Sequence, residues 1–211
     1  MNIELLKRLI SSVILIVVLL YFLYQDTLFF NFFLSIVFIL TLIEWHKMTF
    51  KRVYYLPGLF FLFFSFYTVY LIKINDSNNL NFVLILLICI STDIGGFLFG
   101  RFFKGPKLTK ISPNKTYSGL IGSFLLPLIV INIYNNIVGL TDFYEMKLKF
   151  YMMILLISAI SQIGDLIISY FKRLSKIKDT GKIIPGHGGI LDRIDGMIFV
   201  FPALHLLNFS I

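Results

Sequence analysis

Apolar residues in this chain run in long, nearly uncharged stretches, and that feature limits what it can fold into more than any other. The stretches lie near 9–24, 28–43, 56–72, 82–100, 118–140, 150–171 and 194–210. A bilayer core about 30 Å thick takes about 20 such residues as one helix, fewer when the ends are anchored. In lipid each backbone N–H and C=O needs an internal partner, and a helix supplies them within one segment. The expected fold is all-α: a polytopic membrane helix bundle of about seven spans, forming a single transmembrane domain over residues 1–211. Composition agrees. Of 211 residues, 58% are hydrophobic and 14% charged, where an ordinary soluble domain has about 25% charged. No Pro/Ser-rich linker, internal repeat or low-complexity tail divides the chain. The first stretch follows Lys7 and Arg8, as a signal peptide would. No A-x-A-like cleavage site comes after it, so it reads as a retained anchor. Cys89, the single cysteine, sits in an apolar run and reads as a small buried residue.

Charge sets the expected orientation. With the N-terminus in the cytoplasm and the spans alternating, sixteen of the 19 Lys and Arg fall on the cytoplasmic side. Only Lys73, Lys147 and Lys149 fall outside it. The positive-inside bias therefore puts the two most basic loops, 101–117 and 172–193, on the same cytoplasmic face. The net charge of +8 suits anionic lipid headgroups. Nucleic acid is not an expected partner, since no soluble basic domain exists to hold it.

Those two loops carry the chemistry. The first contains Lys110-Ile111-Ser112-Pro113-Asn114-Lys115-Thr116, which gathers two hydroxyls, an amide and two ammonium groups within seven residues. Pro113 fixes the backbone and pushes Ser112 to an extended conformation. Such a turn can aim N–H groups and hydroxyls at a phosphate, helped by the dipole of a helix starting near Thr116. A capped helix start on a basic loop is the plain alternative. The second loop follows a span that ends Ser161-Gln-Ile-Gly-Asp165-Leu-Ile-Ile-Ser169-Tyr-Phe-Lys172-Arg173. It passes Lys178-Asp179 and Pro185-Gly186-His187-Gly188-Gly189, and closes on Asp192-Arg193-Ile194-Asp195-Gly196. Asp165 at the end of an apolar span is costly and marks a functional position by default. Ser169 lies one helical turn on, and Asp192 and Asp195, three apart, share a helical face. Three carboxylates at the ends of two helices can converge, and hard oxygen ligands suit Mg²⁺ when phosphates complete the shell. The competing reading pairs Asp192 with Arg193 or Lys172 as an ordinary salt bridge.

From Ser169 to Asp195 this stretch resembles the signature of the phosphatidate cytidylyltransferases, also called CDP-diacylglycerol synthases. The Ser-Lys-Arg start, the Lys-Asp pair, the His-Gly-Gly and the Asp-Arg-x-Asp all stand at the family's spacings. Upstream, Asp93-Ile94-Gly95-Gly96-Phe97 through Gly100-Arg101 resembles the family's Asp-containing span, and Lys110 to Gly119 its Ser-Pro-x-Lys-Thr segment. Ser118 stands where relatives usually carry Glu or Gln. Residues 1–90 resemble the family only as a run of apolar spans.

The resemblance implies transfer of cytidylyl from CTP to phosphatidate, giving CDP-diacylglycerol and pyrophosphate in phospholipid biosynthesis. It implies Asp165, Asp192, Lys172, Arg173 and His187 as catalytic residues. Asp165, Asp192 and Asp195 would hold Mg²⁺, with a second cation as an option. Lys110, Ser112, Lys115, Thr116, Ser169, Lys178, Gly188, Gly189, Arg193 and Asp93 would bind CTP and the lipid phosphate. The expected partners are CTP, phosphatidate and membrane lipids, with a homodimer suggested by relatives. The expected location is the cell's inner or plasma membrane, with the active site facing the cytoplasm. Two other readings stand beside this one. A CTP-dependent polyprenol or phytol kinase would release CDP rather than pyrophosphate. An ion-coupled transporter would use Asp93 and Asp165 as an intramembrane path. The Asp-Gly-x-x-Ala-Arg signature of the CDP-alcohol phosphotransferases is absent.

Overall fold

The computed structural model describes residues 3–109, 111–138, 147–184 and 188–207. They form a bundle of α-helices: α1 (Ile3–Leu23), α2 (Thr27–Thr49), α3 (Tyr55–Asn75), α4 (Leu80–Phe103), α5 (Tyr117–Val138), α6 (Lys147–Leu174), α7 (Leu191–Ile194) and α8 (Met197–Leu206). Five helices are long and apolar enough to cross a bilayer: Thr27–Thr49, Tyr55–Asn75, Leu80–Phe103, Tyr117–Ile137 and Leu148–Leu174. Their outer faces carry exposed apolar side chains such as Phe32, Phe60, Phe97, Ile129 and Met152. The protein is thus an all-α polytopic membrane bundle.

The expected seven spans need two amendments. The first stretch lies within α1, a helix of 21 residues, while the last appears as a shorter apolar helix, Met197–Leu206. At 1.5 Å per residue α8 is about 15 Å long, roughly half the hydrocarbon thickness. The last stretch is broken at its start, where α7 ends at Ile194 and α8 begins only at Met197. The second amendment concerns boundaries. The second stretch was expected to stop at 43, but α2 continues to Thr49. The extra turns carry Glu44, Trp45 and Met48 into the interior, where all three are buried.

Polar groups set several of the ends. Asp76 accepts the N–H of Phe82 at 2.8 Å, satisfying a donor that the first turn of α4 would otherwise leave open. Lys104 (φ 53°) and Gly105 (φ 111°) turn the chain out of α4. Thr116 accepts the N–H of Gly119 at 3.1 Å and so caps the start of α5.

Helices α4 and α5 make the tightest crossing. A Cβ placed on Gly95 would lie 2.3 Å from the carbonyl oxygen of Gly122, and one on Gly119 2.7 Å from that of Gly96. Small residues allow such backbone contact between membrane helices. The contact fixes the loop between them, because α4 ends and α5 begins on either side of it. Thr92 donates to Ser158 at 3.0 Å and joins α4 to α6, and Ser65 donates to Ile198 O at 2.7 Å and joins α3 to α8. One apolar core gathers residues such as Phe30, Ile85, Ile88, Ile131, Ile154 and Phe201. A second, around Trp45, Leu62, Ile168 and Leu191, lies beneath the α6–α7 connection. Cys89 is buried, as its apolar surroundings predict.

Candidate active site

The end of α6 brings the two basic loops together. In the first loop, Leu108 N–H donates to Lys115 O at 2.8 Å and Tyr117 N–H to Pro106 O at 3.2 Å. Lys115 is thereby held facing α6. Its Nζ lies 2.7 Å from Asp165 Oδ2 and 3.2 Å from Gln162 Oε1. Ser169, one turn after Asp165, donates to Asp165 Oδ1 at 3.2 Å, as their spacing predicts. Arg173 then ties both loops to α6. It donates to Ile111 O at 3.4 Å and to Ile177 O at 3.2 Å.

The second loop closes around Asp192. Lys172 Nζ lies 2.8 Å from Asp192 Oδ1 and 4.0 Å from Asp195 Oδ2. Asp192 Oδ2 accepts from Thr180 N–H at 2.8 Å, Thr180 Oγ1 at 3.0 Å and Gly189 N–H at 3.0 Å. Burial alone would raise the Asp192 carboxyl, but the Lys172 hydrogen bond, the Gly189 and Thr180 N–H groups and the Lys172 charge outweigh it. The net result is a carboxyl held below its ordinary range and ionised at neutral pH. Gly188 has a φ of +86°, and a Cβ there would sit 2.8 Å from Asp192 Oδ2. Glycine is therefore required both by the turn and by the close approach.

Four carboxylates share this end of the bundle. Asp195 feels the charges of Asp165, Asp93 and Asp192, with Lys172 opposing them. Asp93, on α4, in turn feels Asp165, Lys115 and Arg193. Among the described residues no three His, Cys, Asp or Glu side chains close on one point tightly enough to hold a metal ion alone. The donor set still fits Mg²⁺, which is usually bound by one or two carboxylates with waters and substrate phosphates filling the other positions. Asp165 and Asp192 each have both oxygens engaged, so ligation by either requires Lys115 or Lys172 to move aside, while Asp195 Oδ2 lies 4.0 Å from Lys172.

A further buried acid, on α2, meets the second loop. Glu44, on the extension of α2, is 1% exposed. It accepts Thr180 Oγ1 at 2.9 Å, Ile190 N–H at 2.9 Å and Leu191 N–H at 2.8 Å. The rule that singled out Asp165, an acid at the end of an apolar span, applies equally to Glu44.

Apart from Glu44, these features sit where a broader likeness is found. A family model for the cytidylyltransferase family matches residues 51–211. The chain belongs to the cytidylyltransferase family. Relatives span much of its length. A phosphatidate cytidylyltransferase of Rickettsia prowazekii (strain Madrid E) is 36% identical over 170 residues, 78% of this chain and 75% of the relative. One from Rickettsia typhi (strain ATCC VR-144 / Wilmington) is 38% identical over 175 residues, with the same two shares. One from Staphylococcus haemolyticus (strain JCSC1435) is 40% identical over 136 residues, 62% of this chain and 50% of the relative.

In this cytidylyltransferase, the described part of the expected site is gathered at one end. Asp165, Ser169, Lys115, Lys172, Asp192 and Asp195 form the paired core described above. Thr116 spends its hydroxyl on the α5 cap and on Ser118, 3.0 Å away. Ser112 donates its N–H to Thr109 Oγ1 at 3.1 Å within the loop. Lys178, Arg173 and Arg193 are exposed at the rim. Gly188 and Gly189 line the Asp192 pocket. Lys110 and His187, with Pro185 and Gly186, lie outside the described residues.

Proposed function

We propose that this cytidylyltransferase joins CTP and phosphatidate into CDP-diacylglycerol with release of pyrophosphate. The observation that carries the reading is the meeting of two basic loops, through Lys115–Asp165 and Lys172–Asp192, at the ends of apolar helices. A polar reaction on a lipid needs that placement: acyl chains remain among the helices while the phosphate reaches the charged end. A phosphatidate oxygen forms a bond to the α-phosphorus of CTP, and the bond from that phosphorus to the bridging oxygen of pyrophosphate breaks. Phosphatidate is already an anion, so no strong general base is required. The difficulty is bringing two polyanions together, and positioned cations are what lower that barrier.

Each residue has a role in that scheme. Lys115 and Lys172 neutralise substrate phosphates, released from Asp165 and Asp192 as the substrates bind. Arg173, Lys178, Arg193 and Lys110 draw CTP and the lipid headgroup to the rim. Gly188 and Gly189 allow the backbone to approach a phosphate closely, and His187 donates to it. Asp165 and Asp195, with Asp93 and Asp192 nearby, would hold Mg²⁺, which when bound supplies positive charge to the phosphates and orients the leaving group.

Purified protein given labelled CTP, phosphatidate and Mg²⁺ should yield CDP-diacylglycerol and pyrophosphate. Release of CDP with a phosphorylated lipid would instead establish the kinase reading. EDTA should abolish turnover and added Mg²⁺ restore it; full activity in chelator would remove the metal from the scheme. The site is proposed to face the cytoplasm. Cysteines introduced at Lys107 and Lys178, both exposed, should label only from the cytoplasmic side. Labelling from opposite sides would contradict the shared face.

A further inference from the structure

Glu44 has no part in the scheme above, yet it grips the loop that carries Asp192. It belongs to α2, far from the loop in sequence: its partners Thr180, Ile190 and Leu191 lie 136 to 147 residues away. All three bonds converge on one carboxylate that is 1% exposed. The loop is built around it. A Cβ on Gly189 would lie 2.4 Å from Glu44 Oε2, and one on Gly181 2.6 Å from Glu44 Oε1. Ile190 and Leu191 lead directly into Asp192, so an acceptor for their N–H groups sets where that carboxylate starts.

Thr180 links the two acids. Its N–H donates to Asp192 Oδ2 at 2.8 Å. Its hydroxyl lies 2.9 Å from Glu44 Oε2 and 3.0 Å from Asp192 Oδ2. A hydroxyl has one proton to donate, so it serves one carboxylate at a time while remaining within reach of both. Neighbouring packing holds α2 in place against this loop: Trp45 donates to Tyr55 O at 3.1 Å and stacks edge-on to Phe171 at 5.6 Å.

We propose that Glu44 is a positioning residue for the reaction: it fixes Thr180 and the start of α7 at Ile190 and Leu191 and, through Thr180, orients the Asp192 carboxylate toward the substrates. The inference rests on the cytidylyl-transfer reading for its consequence in turnover, while the anchoring itself is measurable without substrate. An anchor acts locally. A residue that serves stability alone loosens the whole bundle when removed.

Hydrogen exchange of the detergent-solubilised, substrate-free protein makes the distinction. Glu44→Ala should speed exchange at Ile190 and Leu191 on the order of a hundredfold, since their two N–H groups lose their acceptor. The α4–α5 crossing should keep its protection. The kcat/KM for CTP should fall about a hundredfold, the scale of a displacement near 1 Å at a reacting group. Glu44→Gln, with one acceptor oxygen left, should fall between. Thr180→Val deletes a single hydroxyl and keeps the shape, so it carries the test if Glu44→Ala does not fold. It should lower kcat/KM, and Thr180→Ser should recover most of the loss. Unchanged loop exchange in both Glu44→Ala and Thr180→Val, or equal loosening of every helix, overturns the anchoring. A loosened loop with kcat/KM within about twofold of the parent overturns the link to turnover. If the parent protein makes no CDP-diacylglycerol, the functional reading fails, and the exchange result still decides the anchor.

Discussion

Asp192→Asn is expected to lower turnover by about a thousandfold while the protein still inserts as a bundle. The amide keeps nearly the same shape and can leave its oxygen toward Thr180 and Gly189. Its NH₂ then faces Lys172 Nζ, which the carboxylate had met at 2.8 Å. Two donors oppose each other, and Lys172 retains only Asp195 at 4.0 Å. Lys172 is 8% exposed, and breaking such a buried pair costs about 3–5 kcal/mol. A salt bridge with no other duty would produce the same stability loss, so a double variant is needed to separate the two. Asp192→Asn combined with Lys172→Met removes the stranded ammonium and should regain stability. Turnover stays low in the double variant if either Asp192 or Lys172 acts on the substrate phosphates or Mg²⁺. If turnover returns with stability, the two residues only pair with each other and neither acts on the substrates. Asp26→Asn makes the same chemical change at an exposed position before α2 and should be nearly silent.

The second large effect lies away from the charged groups. Gly95→Ala should lower the melting temperature by several degrees and turnover by about a hundredfold. The new Cβ would sit 2.3 Å from Gly122 O and 2.9 Å from Gly122 C. Backbone atoms cannot swing aside as a side chain can, so α4 and α5 must separate. Overpacking of this kind costs about 1–3 kcal/mol. Separation also moves the loop between these helices, and with it Lys115 and its contact to Asp165. Gly96→Ala is the internal control. Its Cβ would meet nothing nearer than 3.8 Å, so melting and turnover should stay near those of the parent. Equal behaviour of the two variants, by thermal unfolding in detergent, would show that the crossing is looser than the structure indicates.

Which parts of this were legible in the sequence follows from the range of the interactions. Spans are written in local hydropathy, and the first six of the seven stretches fall in helices of 21 residues or more. The last stretch misled because Asp195 and Gly196 stand at its start, where helix α7 ends and α8 begins after them. Pairs one turn apart were readable: Ser169 does bond Asp165, and Asp192 and Asp195 do turn toward a common partner, Lys172. The salt-bridge alternative for Asp192 named the right lysine. Contacts between distant segments were not readable. Nothing local predicts that Lys115 meets Asp165, or that Arg173 binds the carbonyls of Ile111 and Ile177. Glu44 was hidden for a second reason. Glu44-Trp45-His46-Lys47 looks like a span's polar margin, so the acid's place at the end of an apolar span was a signal without a partner until the fold showed α2 running on to Thr49.

Glu44 also bears on what counts as a self-sufficient unit. The family match begins at residue 51, after Glu44 and Trp45. A fragment cut there would keep Asp93, Asp165, Asp192 and every glycine of the second loop. It would also leave Thr180 Oγ1, Ile190 N–H and Leu191 N–H with no carboxylate to receive them. Each buried donor stranded in that way costs about 1–3 kcal/mol, and Phe171 would lose the ring of Trp45 as well. The family match thus begins after an acid that holds the Asp192 turn, and a fragment meant to keep that turn's geometry has to include α2.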